Sequence, residues 1–172
     1  MSNLNRLRER MAASQIPALL VSDIANVKWL TGFTGSFGYV LVTASDARFV
    51  TDSRYTLQAG EQVKEMPSVW FQSPLTLDEF LATQISEMGL KSLAFEGGSV
   101  TYATYDKWRN RFAGVQLTGA PDLISQLRMV KTLEEIALIR QACGVADACF
   151  THVQRMIQPG VTEWDICLDI EF

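Results

Sequence analysis

Histidine is nearly missing from this sequence: of 172 residues, one, His152, carries an imidazole. A serine hydrolase triad needs a histidine oriented by an acid, and Ser36, flanked by Gly35 and Phe37, lacks the nucleophile-elbow spacing. That chemistry is not expected. Cysteine is scarce too. The three present, Cys143, Cys149 and Cys167, crowd into the last thirty residues, and their odd number and placement do not suit a secreted disulfide framework. A reducing, cytoplasmic setting is the expectation. Cys149 and His152 stand three apart, but zinc takes three or four ligands and no other Cys or His has suitable spacing. They read as an ordinary pair on a packed or partly exposed helix face.

Long apolar runs are also lacking. The longest stretches, such as residues 16–21, are too short to span a bilayer, and the opening MSNLNRLRERM mixes Arg with Glu and has no apolar targeting core. Basic excess is absent as well. Lys and Arg total 15 against 19 Asp and Glu, with the signs interleaved, so the electrostatic footprint of a nucleic-acid binder is missing. Neither nucleic acid nor membrane is an expected partner. What remains is a globular composition, 48% apolar and 20% charged, long enough for one ordinary domain and the start of a second.

Periodicity organises the chain. Leu4, Leu7 and Met11 recur at helical spacing, and residues 18–21 read as a short buried strand. Residues 39–43 and 48–51 are β-rich runs around a short turn, hence an antiparallel hairpin. Residues 53–61 can form a helix, 68–72 a strand, and Leu77, Phe80, Leu81, Ile85 and Met88 a helix face whose start Thr76 and Glu79 box. Strands over 92–95 and 115–118 enclose a helix through Tyr102, Tyr105, Trp108 and Arg109. Six strands alternating with helices predict an α/β fold built on a layered sheet.

After Pro121 every signal is helical, which sets a boundary near residues 127–131 and two domains, 1–127 and 128–172. Thr132 and Glu135 form a capping box, and Ile136, Ile139, Cys143, Ala146, Phe150, Val153 and Ile157 trace one stripe as far as Pro159-Gly160, expected to pack as core. Thr162 caps a last helix with Glu163 and Asp165 in its first turn; Asp165 and Asp169 share a face and read as solvated acids. That helix is expected to still be running at Phe172, the mark of a fragment.

The least ordinary passage is residues 31–38, Thr-Gly-Phe-Thr-Gly-Ser-Phe-Gly, expected to be a mobile loop. Its G-x-x-G-x-x-G spacing is not the dinucleotide fingerprint, and it leads into a strand, so a nucleotide-binding domain has no phosphate motif to rest on. Soon after comes Thr51-Asp-Ser-Arg-Tyr55, at a strand end, where α/β proteins place binding groups. Two readings stay open. Arg54 clamps a carboxylate with Phe33, Phe37 or Tyr55 as apolar walls, or Asp52 caps a helix and Arg54 pairs with it.

These passages carry a resemblance. Residues 25–38, Ala-Asn-Val-Lys-Trp-Leu-Thr-Gly-Phe-Thr-Gly-Ser-Phe-Gly, resemble the N-x-x-Y-L-T-G-F-x-G-S-x-G stretch of creatinase-type amino-terminal domains, with Trp29 where Tyr is commoner. Residues 51–59 are similar to T-D-x-R-Y-x-x-Q-A, residues 128–140 to R-x-x-K-x-x-x-E-I-x-x-I-R, and residues 159–163 to P-G-x-T-E. Four motifs in order identify the chain as a member of the creatinase, aminopeptidase P and prolidase family.

The resemblance implies a three-layer α/β/α amino-terminal domain around a six-stranded mixed sheet, followed by the first helices of a pita-bread metallopeptidase domain. In the intact parent, two divalent ions, manganese in many members, would be bound by two Asp, one His and two Glu beyond Phe172. They would support hydrolysis of the bond before proline in proline-containing peptides. It also implies a homodimer whose amino-terminal domain lends loop residues to its neighbour's active site, with Phe33, Arg54 and Tyr55 as the substrate-binding candidates by motif position. No catalytic residue, metal ligand or cofactor is expected within the chain itself. The competing expectation is a catalytically inactive pita-bread relative that acts as a protein-binding or oligomerisation module.

Overall fold

The computed structural model describes residues 2–171. They divide into two compact units that meet at Met129 and Val130.

In the first unit, α1 (Asn3–Ala13) is capped by Ser2 and turns Leu4, Leu7 and Met11 inward, as their spacing predicts. β1 (Ala18–Val21) is buried along its whole length. Asp23 then caps α2 (Ile24–Thr31), a helix that the sequence reading leaves unassigned, by accepting the amide protons of Ala25 and Asn26. Gly32 ends it in the left-handed conformation at φ 76°.

β2 (Tyr39–Thr43) and β3 (Ala47–Asp52) form the expected hairpin, with Tyr39 opposite Val50 and Val42 opposite Ala47. The helix expected over 53–61 is a single 3₁₀ turn, Ser53–Tyr55, followed by α3 (Thr56–Gln62). β4 (Ser68–Phe71), α4 (Leu77–Glu87) with its Thr76/Glu79 capping box, β5 (Ser92–Glu96), α5 (Tyr102–Arg111), β6 (Gln116–Ala120) and α6 (Leu123–Met129) complete the unit.

The strands form one mixed sheet in the order β4-β3-β2-β1-β5-β6. Three pairings are parallel, and β2 alone runs against its neighbours. One face packs on α1, α2, α3 and α6 through Leu7, Leu30, Phe33, Phe49, Ala59 and Ile124. The other packs on α4 and α5 through Leu81, Ile85, Trp108 and Phe112. This is the three-layer α/β/α arrangement expected, and each large apolar side chain so buried contributes about 1.5–3 kcal/mol. The polarity of β2 positions the candidate site. The segment entering β2 lies at the same sheet end as the segment leaving β3, so residues 32–38 meet residues 52–55.

The second unit holds α7 (Leu133–Met156) and α8 (Glu163–Glu171). Thr132 and Glu135 make the expected box, but α7 stops at Met156, with Ile157 extended, before the Gln158-Pro159 step that disfavours helix. The expectation that its stripe is core is wrong for the described residues: α7 buries none, and Ile139 and Phe150 are exposed. Within its unit, α7 packs against α8 alone, and a single helix cannot cover so long a stripe. The expected course of the chain at Phe172 lies outside the described residues.

Candidate functional site

Phe33 is fully buried beneath the Gly-rich loop, wedged between Phe49, with ring centroids 4.7 Å apart, and Tyr55, edge-on at 5.5 Å. The loop backbone passes directly over these rings. A Cβ on Gly35 would come within 2.7 Å of Phe33 Cε1 and 2.9 Å of Tyr55 Cε1, and one on Gly38 within 2.7 Å of Phe49 Cε2. Close approach, not unusual backbone angles, is what these two glycines permit.

The loop is fastened rather than loose, which corrects the expectation of mobility. The Thr34 amide donates to Gln62 Oε1 at 2.9 Å, and Gln58 and Gln62 both donate to Thr34 Oγ1. At the far end the fully buried Thr51 hydroxyl donates to the Phe37 carbonyl at 2.8 Å, which satisfies both groups. Between them, Ser36 Oγ and Tyr55 Oη lie 2.7 Å apart.

Arg54 stands at the rim. Its Nε and Nη2 donate to the two oxygens of Asp52 at 3.0 and 2.8 Å, and its guanidinium lies 5.3 Å from the centre of the Tyr55 ring. Asp52 also accepts the Arg54 amide, capping the 3₁₀ turn. The hydrogen bonds from Arg54 hold the Asp52 carboxyl below its ordinary pKa, and the carboxylate raises that of Arg54. Asp52 is 15% exposed and Arg54 69%, so the carboxylate is spent while the exposed guanidinium keeps Nη1 without a hydrogen bond among the described residues. The arrangement presents hydrogen-bond donors on a nearly neutral ion pair, suited to an acceptor.

The structure brings all three candidates, Phe33, Arg54 and Tyr55, into one cluster. Phe33 forms its buried seat and Arg54 its outer edge.

Two other motif residues hold a network that sequence reading misses. Glu96, at the end of β5, accepts the amides of Ser22 and Asp23 at 2.6 and 2.7 Å and the Asn26 Nδ2 proton at 2.6 Å. Asn26 Oδ1 in turn accepts from Arg128 Nη1 at 2.7 Å. Asn26 is 5% exposed, so this chain ties the start of α2 to the end of α6 inside the fold. Beside it, a cavity of about 250 Å³ opens between the ends of β1, β5 and β6. Its acids Asp23, Glu96 and Asp122 are all engaged with backbone amides.

In the second unit His152 pairs with Asp169, the orienting acid that the sequence reading did not find, on an exposed surface. Asp165, in the first turn of α8, accepts the Thr162 amide while the Thr162 hydroxyl oxygen accepts the Asp165 amide, closing the start of the helix. Among the described residues no three His, Cys, Asp or Glu side chains form a group that could hold a metal ion. No helix among the described residues is long and apolar enough to cross a membrane.

The Creatinase/Prolidase N-terminal domain family matches residues 3–130, the whole α/β/α unit with its loop, turn and network. The chain belongs to that family. It is 32% identical over 169 residues to "Uncharacterized peptidase YqhT" of Bacillus subtilis (strain 168), covering 98% of this chain and 47% of the relative. A solved structure, the Xaa-Pro dipeptidase from Bacillus anthracis, superposes with a TM-score of 0.88 at 30% identity, over 98% of this chain and 47% of that one. The N-terminal domain of cytoplasmic peptidase PepQ from Mycobacterium tuberculosis H37Rv gives 0.65 at 32% identity, over 72% and 96%. The chain thus spans about half the length of the longer relatives it matches.

Proposed function

We propose that this chain is the amino-terminal, non-catalytic part of a dinuclear-metal Xaa-Pro peptidase of aminopeptidase P or prolidase type. The parent hydrolyses the peptide bond before proline. The observation that supports this reading most is the pattern of coverage: 98% of this chain aligns with the Bacillus subtilis peptidase while accounting for 47% of it. On this reading the metal ligands lie in the half without a counterpart here. The two ions, taken as manganese, supply an activated water and charge stabilisation there when bound.

The α/β/α unit's contribution is structural and positional. We assign it to the contacts of a cytoplasmic homodimer, in which the loop and turn at the sheet end face a neighbouring subunit's active site. Arg54, exposed at the rim, offers its remaining Nη1 donor to an acceptor on a proline-containing peptide. Tyr55 orients Arg54 from below, and Phe33 seats Tyr55.

The test is Arg54→Ala in the full-length protein. Because the Arg54 side chain is 69% exposed and Asp52 still accepts the backbone amide of residue 54, its loss keeps the fold and costs only the stability that the Arg54–Asp52 pair contributes. Losing one charge-assisted contact raises KM for an Xaa-Pro peptide about tenfold. A lowered Tm with unchanged kinetics per folded molecule refutes the assignment.

A further inference from the structure

We infer that Ser36 is the substrate-facing hydrogen-bond donor of the Gly-rich loop, offering its hydroxyl hydrogen to a neutral carbonyl oxygen such as that of a peptide bond. Tyr55 is the positioning residue behind it. This rests on the reading of the loop as a contributor to a peptidase active site.

The pair of hydroxyls carries the inference. Ser36 Oγ and Tyr55 Oη lie 2.7 Å apart, an ordinary O–H···O hydrogen bond. Two hydroxyls own two hydrogens and the contact spends one, so one donor remains. A phenol is a stronger acid than an alcohol, and an alcohol oxygen is the better acceptor. The favoured direction is therefore from Tyr55 to Ser36, which leaves the serine hydrogen free and polarised by the bond it accepts.

Exposure agrees: Ser36 is exposed, whereas Tyr55 is half-buried against Phe33. Gly35 lets the loop lie close enough to the rings for Ser36 to reach Tyr55, and the Thr34–Gln62 and Thr51–Phe37 bonds hold the two ends. The donor is thus fixed in place before any ligand arrives. Its acceptor is neutral, because the adjacent guanidinium is already balanced by Asp52.

The test is steady-state kinetics of the full-length protein on an Ala-Pro dipeptide and an Ala-Pro-Ala tripeptide. Ser36→Ala raises KM about three- to tenfold with kcat retained, the loss of one neutral hydrogen bond. Ser36→Thr, which keeps the hydroxyl, restores KM. Tyr55→Phe raises it less, and Ser36→Ala with Tyr55→Phe is no worse than Ser36→Ala alone. If Tyr55→Phe exceeds Ser36→Ala, the donor is Tyr55 and the inference is overturned. If Arg54→Ala raises KM while Ser36→Ala does not, the inference fails and the site reading survives. If none of these variants moves KM, both fail together. Independently of turnover, in this 172-residue chain carrying ¹³Cζ-labelled tyrosine, Ser36→Ala shifts the Tyr55 resonance upfield; a downfield shift shows Tyr55 to be the acceptor and overturns the inference.

Discussion

Gly35→Ala tests whether the loop is set by ring packing. Gly35 has no left-handed backbone angle to lose, so the added methyl acts by crowding alone. Its Cβ would press on Phe33 at 2.7 Å and Tyr55 at 2.9 Å, both inside the separation that real Cβ contacts keep. The far end of a flexible exposed side chain would give way at little cost. Phe33 is fully buried, however, and packs on the fully buried Phe49, so its ring cannot retreat without disturbing the core. Overpacking of this kind costs about 1–3 kcal/mol. For a chain of this size each kcal/mol lowers Tm by about 2–4 °C.

The assay is urea and thermal unfolding of the 172-residue chain, with Gly98→Ala as the control. A Cβ at Gly98 meets nothing within 4 Å, so that change stays within about 0.5 kcal/mol. Phe33→Leu removes the ring atoms in the way. The double variant Gly35→Ala with Phe33→Leu is therefore less destabilised than the sum of the two, by about 0.5–3 kcal/mol. A Gly35→Ala protein as stable as the parent, or one strictly additive with Phe33→Leu, refutes the packing argument.

Asn26→Ala removes a buried bridge and takes one hydrogen bond each from the half-buried Glu96 and Arg128, costing about 1–3 kcal/mol in urea denaturation; a loss no larger than at an exposed site contradicts the network. Asp52→Asn lowers stability at pH 7, and the gap to wild type closes on acidification. The folded pKa of Asp52 is depressed, so its contribution is full above the unfolded value of about 3.9 and is lost as pH falls through the folded one. Parallel stability curves from pH 7 to pH 2, in chemical denaturation at each pH, contradict that linkage.

Much of this was legible because local pattern and tertiary demand agree. Two β-rich runs around a short turn placed β2 and β3, the Thr76 and Thr132 boxes placed two helix starts, and helical spacing picked out Leu4, Leu7 and Met11. What failed depended on partners remote in sequence. The Glu96–Asn26–Arg128 network spans separations of 70 and 102 residues, and its sole local hint was a carboxylate ending a buried strand. An aromatic in a Gly-rich loop reads as an exposed wall, whereas Phe33 is core, because glycines at 35 and 38 let the backbone close over two rings. The α7 stripe has helical period, but period says nothing of what covers it.

The function proposed for this chain is that of a part of a metal-dependent Xaa-Pro peptidase, without the catalytic centre. Its most direct test is alanine release from an Ala-Pro dipeptide and from an Ala-Pro-Ala tripeptide with added Mn²⁺, run in parallel on the 172-residue chain and on the full-length protein. The account predicts metal-dependent turnover by the full-length protein, abolished by chelator, and none by the chain alone. Turnover by the purified chain, or a full-length protein inactive with every divalent metal on any Xaa-Pro peptide, would contradict it.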